Sequence, residues 1–431
     1  MTTRQTKTQE RARVKTPQRT QGEWQPFSLD ELVSADHRVR LVWKFVDGLD
    51  LAPLYAEIKA VEGGAGRDAV DPRILLTLWL YATIEGIGSA RELDRRCGRD
   101  VIYRWICGGV GVNHHLLSDF RTSHGDFLDR LLTDTVAALL HQGLVTLETV
   151  GQDGMRVRAS AGGSSFHRAA TLEKCRDEAR EQVLRLRAEG ENEAVAAEAN
   201  ARRTAARQRA VTERAARVEQ ALQEVAELQQ QKEARKTGDG AKARCSTTDP
   251  EARRMKMGDG GFRPAYNVQF ATDGDARVIV GVDVTNSGND HGEMAPMHAQ
   301  IHERYGQYPD QYQVDCGFAT KDDITEVERR GTQVFAPIHG EDRMRKKGTD
   351  PHAPQPGDSP EMKAFRERMA TDEAKQTYKR RPSIAEFPNA ECRNRGLTQF
   401  RVRGLKKVKA VTLWYALTFN FLRMIDLGFN F

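Results

Sequence analysis

Val150-Gly151-Gln152-Asp153-Gly154-Met155-Arg156-Val157 and Tyr312-Gln313-Val314-Asp315-Cys316-Gly317-Phe318 are the stretches that decide the fold. Each reads as a short buried strand interrupted by one acid. An isolated carboxylate is costly to bury, so it is usually paired, hydrogen-bonded or bound to metal. Taken singly, each acid equally suits a turn at a strand end, with Asp-Gly at 153 and Asp-Cys-Gly at 315. A third carboxylate, Glu386, lies in a cationic, helix-compatible stretch between Tyr378 and Arg393. Mg²⁺ prefers hard oxygen ligands and needs only two or three protein carboxylates. Two such ions about 4 Å apart neutralise both the attacking and the leaving oxygen of a phosphodiester. Together the three acids point to metal-dependent phosphoryl transfer on DNA.

Around these stretches the chain divides by pattern. Residues 25–142 read as a helical domain. Asp71-Pro72 opens one helix with Ile74, Leu75, Leu78 and Trp79 on one face, and Ser89 with Glu92 has capping-box spacing for the next. Short helices joined by tight turns, carrying Arg91, Arg95, Arg96, Arg99, Arg104 and Arg121, suit DNA contact. Strands are expected after Gly143 and at 265–272, 278–285, 311–318 and 332–338, with helices at 293–304 and 321–330. Residues 167–236 carry Val218, Leu222, Val225 and Leu228 at helical spacing and predict a long helical hairpin or coiled coil, turning at Glu189-Gly190-Glu191-Asn192. The polar stretch 340–372 is expected to be an irregular, mobile insertion, and residues 1–24 a disordered basic arm.

Composition bounds the chemistry. The 431 residues hold 66 basic and 61 acidic side chains, a net +5, so distribution says more than the sum. Between Arg393 and Lys409 the bases Arg393, Arg395, Arg401, Arg403, Lys406, Lys407 and Lys409 meet no acid, a surface suited to a phosphate backbone. The six cysteines form no Cys-x-x-Cys pair or zinc spacing and read as reduced structural thiols. No apolar run spans a bilayer and no secretion signal is evident, so the cytoplasm, with nucleoid DNA, is the expected compartment.

Tyr378, two residues, Arg381, then Glu386, six residues and Arg393 resembles the Tyr-Arg-Glu-Lys signature of DDE transposases from bacterial insertion sequences. Four residues separate Arg381 from Glu386 where the usual pattern has three, and Arg393 stands where Lys is common. The stretches from Asp249 to Lys256, from Gly260 to Gln269 and from Asp71 to Arg121 are similar to these enzymes as well. The order of elements also matches a ribonuclease H-like fold, a mixed five-stranded sheet with flanking helices. An all-α domain precedes it, the catalytic region spans 143–431 and the helical insertion interrupts it. In that fold the first and fourth strands are neighbours, which joins Asp153 to Asp315, and Glu386 on the following helix completes a catalytic triad.

The resemblance implies a transposase binding the terminal inverted repeats of an insertion sequence and transferring them into target DNA. Asp153, Asp315 and Glu386 would hold two Mg²⁺, with Mn²⁺ as substitute, while Tyr378, Arg381, Arg393, Arg401, Arg403, Lys406 and Lys407 contact DNA. A homodimer or higher assembly on double-stranded DNA is expected. A nuclease without strand transfer and a non-catalytic DNA-binding descendant are the alternatives. Rival acids have ordinary readings: Asp273, Asp275 and Asp283 as hairpin chemistry, Asp290, His291 and Glu293 as caps of the helix starting near Glu293, Asp322 and Asp323 in a helix's first turn.

Overall fold

The computed structural model describes residues 28–60, 67–192 and 198–429, so the expected arm at 1–24 lies outside the described residues. Six strands form one mixed sheet: β1 (Thr149–Arg158), β2 (Arg253–Lys256), β3 (Phe262–Asp273), β4 (Ile279–Thr285), β5 (Gln311–Gln313) and β6 (Gln333–Phe335). β3 is its hub. β1 lies antiparallel on one edge of β3, and β2 and β4 share the other edge. β5 runs parallel to β1, and β6 parallel to β5. Paired on both edges, β3 is buried from Pro264 through Asp273. β2 is an addition to the five expected strands: the charged Arg253–Lys256 run folds back on β3 through a turn in which Gly260 takes φ +81°.

Before the sheet come the helices Arg38–Asp47, Ala52–Ala56, Pro72–Ile84, Ala90–Arg99, Val101–Cys107, His114–Ser123 and Gly125–His141. Asp71 caps the Pro72–Ile84 helix by accepting from the Arg73 amide, and Ser89 accepts from the Glu92 amide at the next. Pro72–Ile84 is apolar all round, and a helix of that kind must be covered on every side. Its cover comes from the far end of the chain. The Leu405–Asp426 helix packs against the Pro72–Ile84, His114–Ser123 and Gly125–His141 helices and against β4. Trp79 and Trp414 meet with ring centroids 6.5 Å apart, and the Asn420 side chain bonds both the amide and the carbonyl of Ile279 at 2.8 Å each. One continuous apolar core therefore runs from the first helices through the sheet. No helix among the described residues is long and apolar enough to cross a membrane.

The insertion between β1 and β2 forms two long helices, Ala169–Asn192 and Glu198–Arg235. They lie antiparallel, with Arg180 on Glu219 at 3.0 Å and Leu172 buried beside Ala221 and Val225. A two-residue ladder, Phe166–His167 with Cys245–Ser246, closes its neck. The expected turn at 189–192 is corrected: the first helix continues through Asn192. One glycine costs a helix only about 1 kcal/mol, which a long packed helix absorbs. The stretch 340–372 is corrected in part: the helices Glu341–Lys346 and Pro360–Ala370 occupy about half of it, and turns the rest. Met362, Phe365 and Met369 are buried there, and Arg366 pairs with Asp358 at 2.7 Å.

Candidate active site

The parallel β1–β5 pairing fixes the first two acids. Gly151 stands opposite Gln313, and two more residues along each chain lead to Asp153 and Asp315. Asp153 lies within β1, whereas Asp315 lies past the end of β5, which stops at Gln313 rather than continuing to 318 as expected. There the Gly317 amide donates to Asp315 Oδ1 at 2.7 Å, a side-chain turn that bends the chain out of the sheet. At this acid the strand-end turn reading applies, and the strand reading holds at Asp153.

Glu386 arrives on a wide π turn, Pro382–Glu386, that continues into the Phe387–Asn394 helix. Pro388 has no amide hydrogen to return to the Ile384 carbonyl, which disfavours regular α-helix at this junction. The turn lies against β1 because Gly151 is a glycine: a Cβ there would come within 2.9 Å of Ile384 Cγ2.

Arg381 binds the three acids together. Its buried guanidinium puts Nη2 at 2.9 Å from Asp153 Oδ1 and 4.0 Å from Asp315 Oδ2, and Nη1 at 3.1 Å from Glu386 Oε1. Asn389 Nδ2 donates to Asp153 Oδ2 at 2.8 Å. Burial pushes the Asp153 carboxyl up to about 6, with the Asp315 and Glu386 charges adding and Arg381 and Asn389 opposing. Tyr378 is half-buried within the field of Arg381, Asp315 and Glu386, and burial raises its phenol. Arg393, Arg401, Arg403, Lys406 and Lys407 are exposed, and among the described residues none of them forms an ion pair. Arg381 thus faces the acids, the salt-bridge arrangement that its spacing from Glu386 also allows, while the other five bases face outward.

Asp290, expected as a helix cap, has another place. Asp323 supplies the cap, accepting from the Gly292 and Ala295 amides at 2.9 and 3.2 Å. Asp290 Oδ1 instead accepts from Asn267 Nδ2 at 2.7 Å and Gln269 Nε2 at 2.8 Å, directly over Gly154. A Cβ on Gly317 would lie 2.9 Å from Asp315 Oδ1 and 3.7 Å from Asp290 Oδ2, so these two carboxylates flank that glycine. The signal available in sequence was Asn267-Val268-Gln269: two amides on one face of an otherwise apolar strand require a polar partner. The remaining rivals are structural. Asp273 accepts from the amides of Leu147, Asp275 and Ala276, Asp275 pairs with Arg380, and Asp283 pairs with Lys409.

A divalent ion suits this donor set. Three carboxylates against one guanidinium leave two formal negative charges uncompensated, and carboxylate oxygens are the hard donors Mg²⁺ selects. Asp153, Asp315 and Glu386 would hold it. Among the described residues no three of His, Cys, Asp or Glu are drawn together as a metal cluster, because the Arg381 guanidinium fills the ground between the acids.

Two family matches bear on this geometry. Residues 27–123 match a transposase domain (DUF772), and residues 345–425 match a transposase DDE domain. The second match contains Tyr378, Arg381, Glu386 and Arg393, while β1 and β5 lie between the two. Both matches are to transposase domains, and together they support a DDE transposase of an insertion sequence. No curated protein and no solved structure matches it.

Proposed function

We propose that the chain binds the terminal inverted repeats of an insertion sequence and carries out metal-dependent cleavage and strand transfer, with Asp153, Asp315 and Glu386 as the catalytic acids. The observation that carries this reading is the convergence of all three carboxylates on one cation, although they come from a strand, a strand end and a π turn far apart in sequence. The sheet supports it as well. Leaving β2 aside, the strands run in the order β4-β3-β1-β5-β6, antiparallel up to β1 and parallel beyond it, an order that supports the ribonuclease H-like reading.

Bound Mg²⁺ would neutralise the scissile phosphate and its leaving oxygen. Asp153, Asp315 and Glu386 supply the fixed negative charge, Asn389 orients Asp153, and Arg381 keeps the acids convergent. Water attacks the phosphate at the element's end and the P–O3′ bond breaks, the freed 3′ oxygen taking a proton. That 3′ hydroxyl then attacks a target phosphate and displaces the target's own 3′ oxygen. Tyr378 beside the acids and the exposed Arg393, Arg401, Arg403, Lys406 and Lys407 hold DNA, in a homodimer or larger assembly on paired ends. Incubation of labelled element ends with a plasmid tests this: joined products are expected, and nicking without joining would mark a nuclease. Arg381 among the acids favours one further reading, a DNA-binding descendant without cleavage, for which tight binding and intact DNA would be the signature.

A further inference from the structure

Beyond the end of β1 that carries Arg158, a cleft of about 850 Å³ opens between the early helices and the 396–401 segment. Arg91, Arg121, Arg158 and Arg401 line it together with two histidines, and among the described residues no Asp or Glu does. Elsewhere the buried arginines have carboxylates, as Arg304 has Asp129 and Arg366 has Asp358. Arg121 differs: only 6% exposed, it stacks on the Trp79 ring at 4.6 Å and donates to the Gly88 carbonyl at 2.6 Å. Its Nε has no hydrogen-bond partner, and among the described residues it has no ion pair. A Cβ on Gly88 would lie 3.9 Å from Arg401 Nε, so two guanidinium groups gather about this one glycine without an acid. Burial and the Arg401 charge pull Arg121 down only to about 10, so it stays a cation at neutral pH. A buried, unpaired cation is costly, and like charges held together raise that cost unless an anion joins them.

We propose that this cleft grips the phosphate backbone of the DNA end beside the cleaved bond, Arg121 holding one phosphate and Arg91, Arg158 and Arg401 its neighbours. The inference rests on the transposase reading above and adds where the DNA lies. Arg158 is five residues beyond Asp153 on β1, roughly 17 Å at the usual strand rise. At about 3.4 Å per nucleotide that is near five nucleotides from the scissile phosphate. The far end of β1 is locked to the cleft's other wall, since the Arg158 amide donates to the Thr398 carbonyl at 3.2 Å and the Phe400 amide to the Arg158 carbonyl at 2.8 Å. One strand thus fixes the cleft's distance from the acids.

The test uses the full chain and two labelled duplexes, each carrying one flank of the protein's own gene, with binding followed against salt. Replacing Arg121 endangers its Trp79 stack, so the exposed pair Arg158→Gln and Arg401→Gln is combined in one variant. Each lost phosphate contact lowers the slope of log K against log salt by about 0.9, so the double variant should bind more weakly with a slope reduced by nearly two. Lys375→Gln, which removes a lysine paired with Asp372, should leave the slope unchanged. An unaltered slope in the double variant overturns the cleft and leaves the transposase reading intact, whereas a wild-type chain that cleaves neither flank with Mg²⁺ removes that reading itself. Saturable inorganic phosphate binding that the double variant loses while its DNA slope is unchanged would identify a free-anion pocket and also overturn the proposal.

Discussion

Arg381 and Asp153 form an ion pair of 2.9 Å in which the arginine is 7% and the aspartate 18% exposed, and the same guanidinium holds Glu386 at 3.1 Å. Removing one partner of a buried ion pair strands the other charges, typically at about 3 kcal/mol or more. Arg381→Gln is therefore expected to lower the melting temperature in EDTA. Mg²⁺ should then raise it more than it raises that of the unmodified protein, since the ion takes over the arginine's role between the carboxylates. Equal Mg²⁺ shifts in the two melts would mean that the acids do not share a cation site.

Gly154 lets Asp290 lie flat across β1. A Cβ at 154 would come within 2.3 Å of Asp290 Oδ1 and 2.8 Å of Gln269 Nε2, closer than real atoms approach. Gly154→Ala should destabilise the fold by ~1–3 kcal/mol through overpacking. Gly98→Ala, on a helix with nothing within 4 Å, should add up to about 1 kcal/mol. Denaturant unfolding of both variants decides this, and a neutral Gly154→Ala would remove the steric account of Asp290.

Asn420 is the polar pin between the last helix and the sheet. Asn420→Ala leaves the amide and carbonyl of Ile279 buried without partners, at ~1–3 kcal/mol each. A clear fall in stability with the fold retained is the expected result of a thermal melt with circular dichroism. Wild-type stability would show that water or backbone movement satisfies both groups.

His298 sets a pH limit on stability. Burial first, then the charges of Arg330 and His302, pull it from 6.5 down to about 4, while Nε2 bonds Thr332 Oγ1 at 2.7 Å and the ring stacks on Tyr308. The unfolded chain takes up a proton below about 6.5 and the folded one only near 4, so stability is lost as pH falls through that window, by ~3 kcal/mol at most. His298→Gln should flatten this part of the stability curve. An equal slope in the variant would assign the acid sensitivity to other groups.

Asp153 was legible because a carboxylate stands out inside an apolar strand, and Asp315 because it follows directly on the apolar run that forms the end of β5. Glu386 was legible through its spacing from Tyr378 and Arg381. The inward turn of Arg381 was not, since an arginine at a helix entrance suits a phosphate and a carboxylate equally. Asp290 was hidden because Asp-His-Gly-Glu before a helix is also cap chemistry, and only the fold reveals that Asp323 takes the cap. The Leu405–Asp426 helix was obscured by Lys406, Lys407 and Lys409, whose charge masks the apolar core element that follows them.

The proposed function requires Asp153, Asp315 and Glu386 to act together on DNA. The most direct measurement is cleavage of labelled DNA carrying both flanks of the protein's own gene, with Mg²⁺ or Mn²⁺, comparing the unmodified chain with Glu386→Gln. Nicking at the flank boundary that disappears in the variant, while binding persists, is the predicted result. Cleavage retained by Glu386→Gln, or tight binding with no cleavage by either protein, would contradict it.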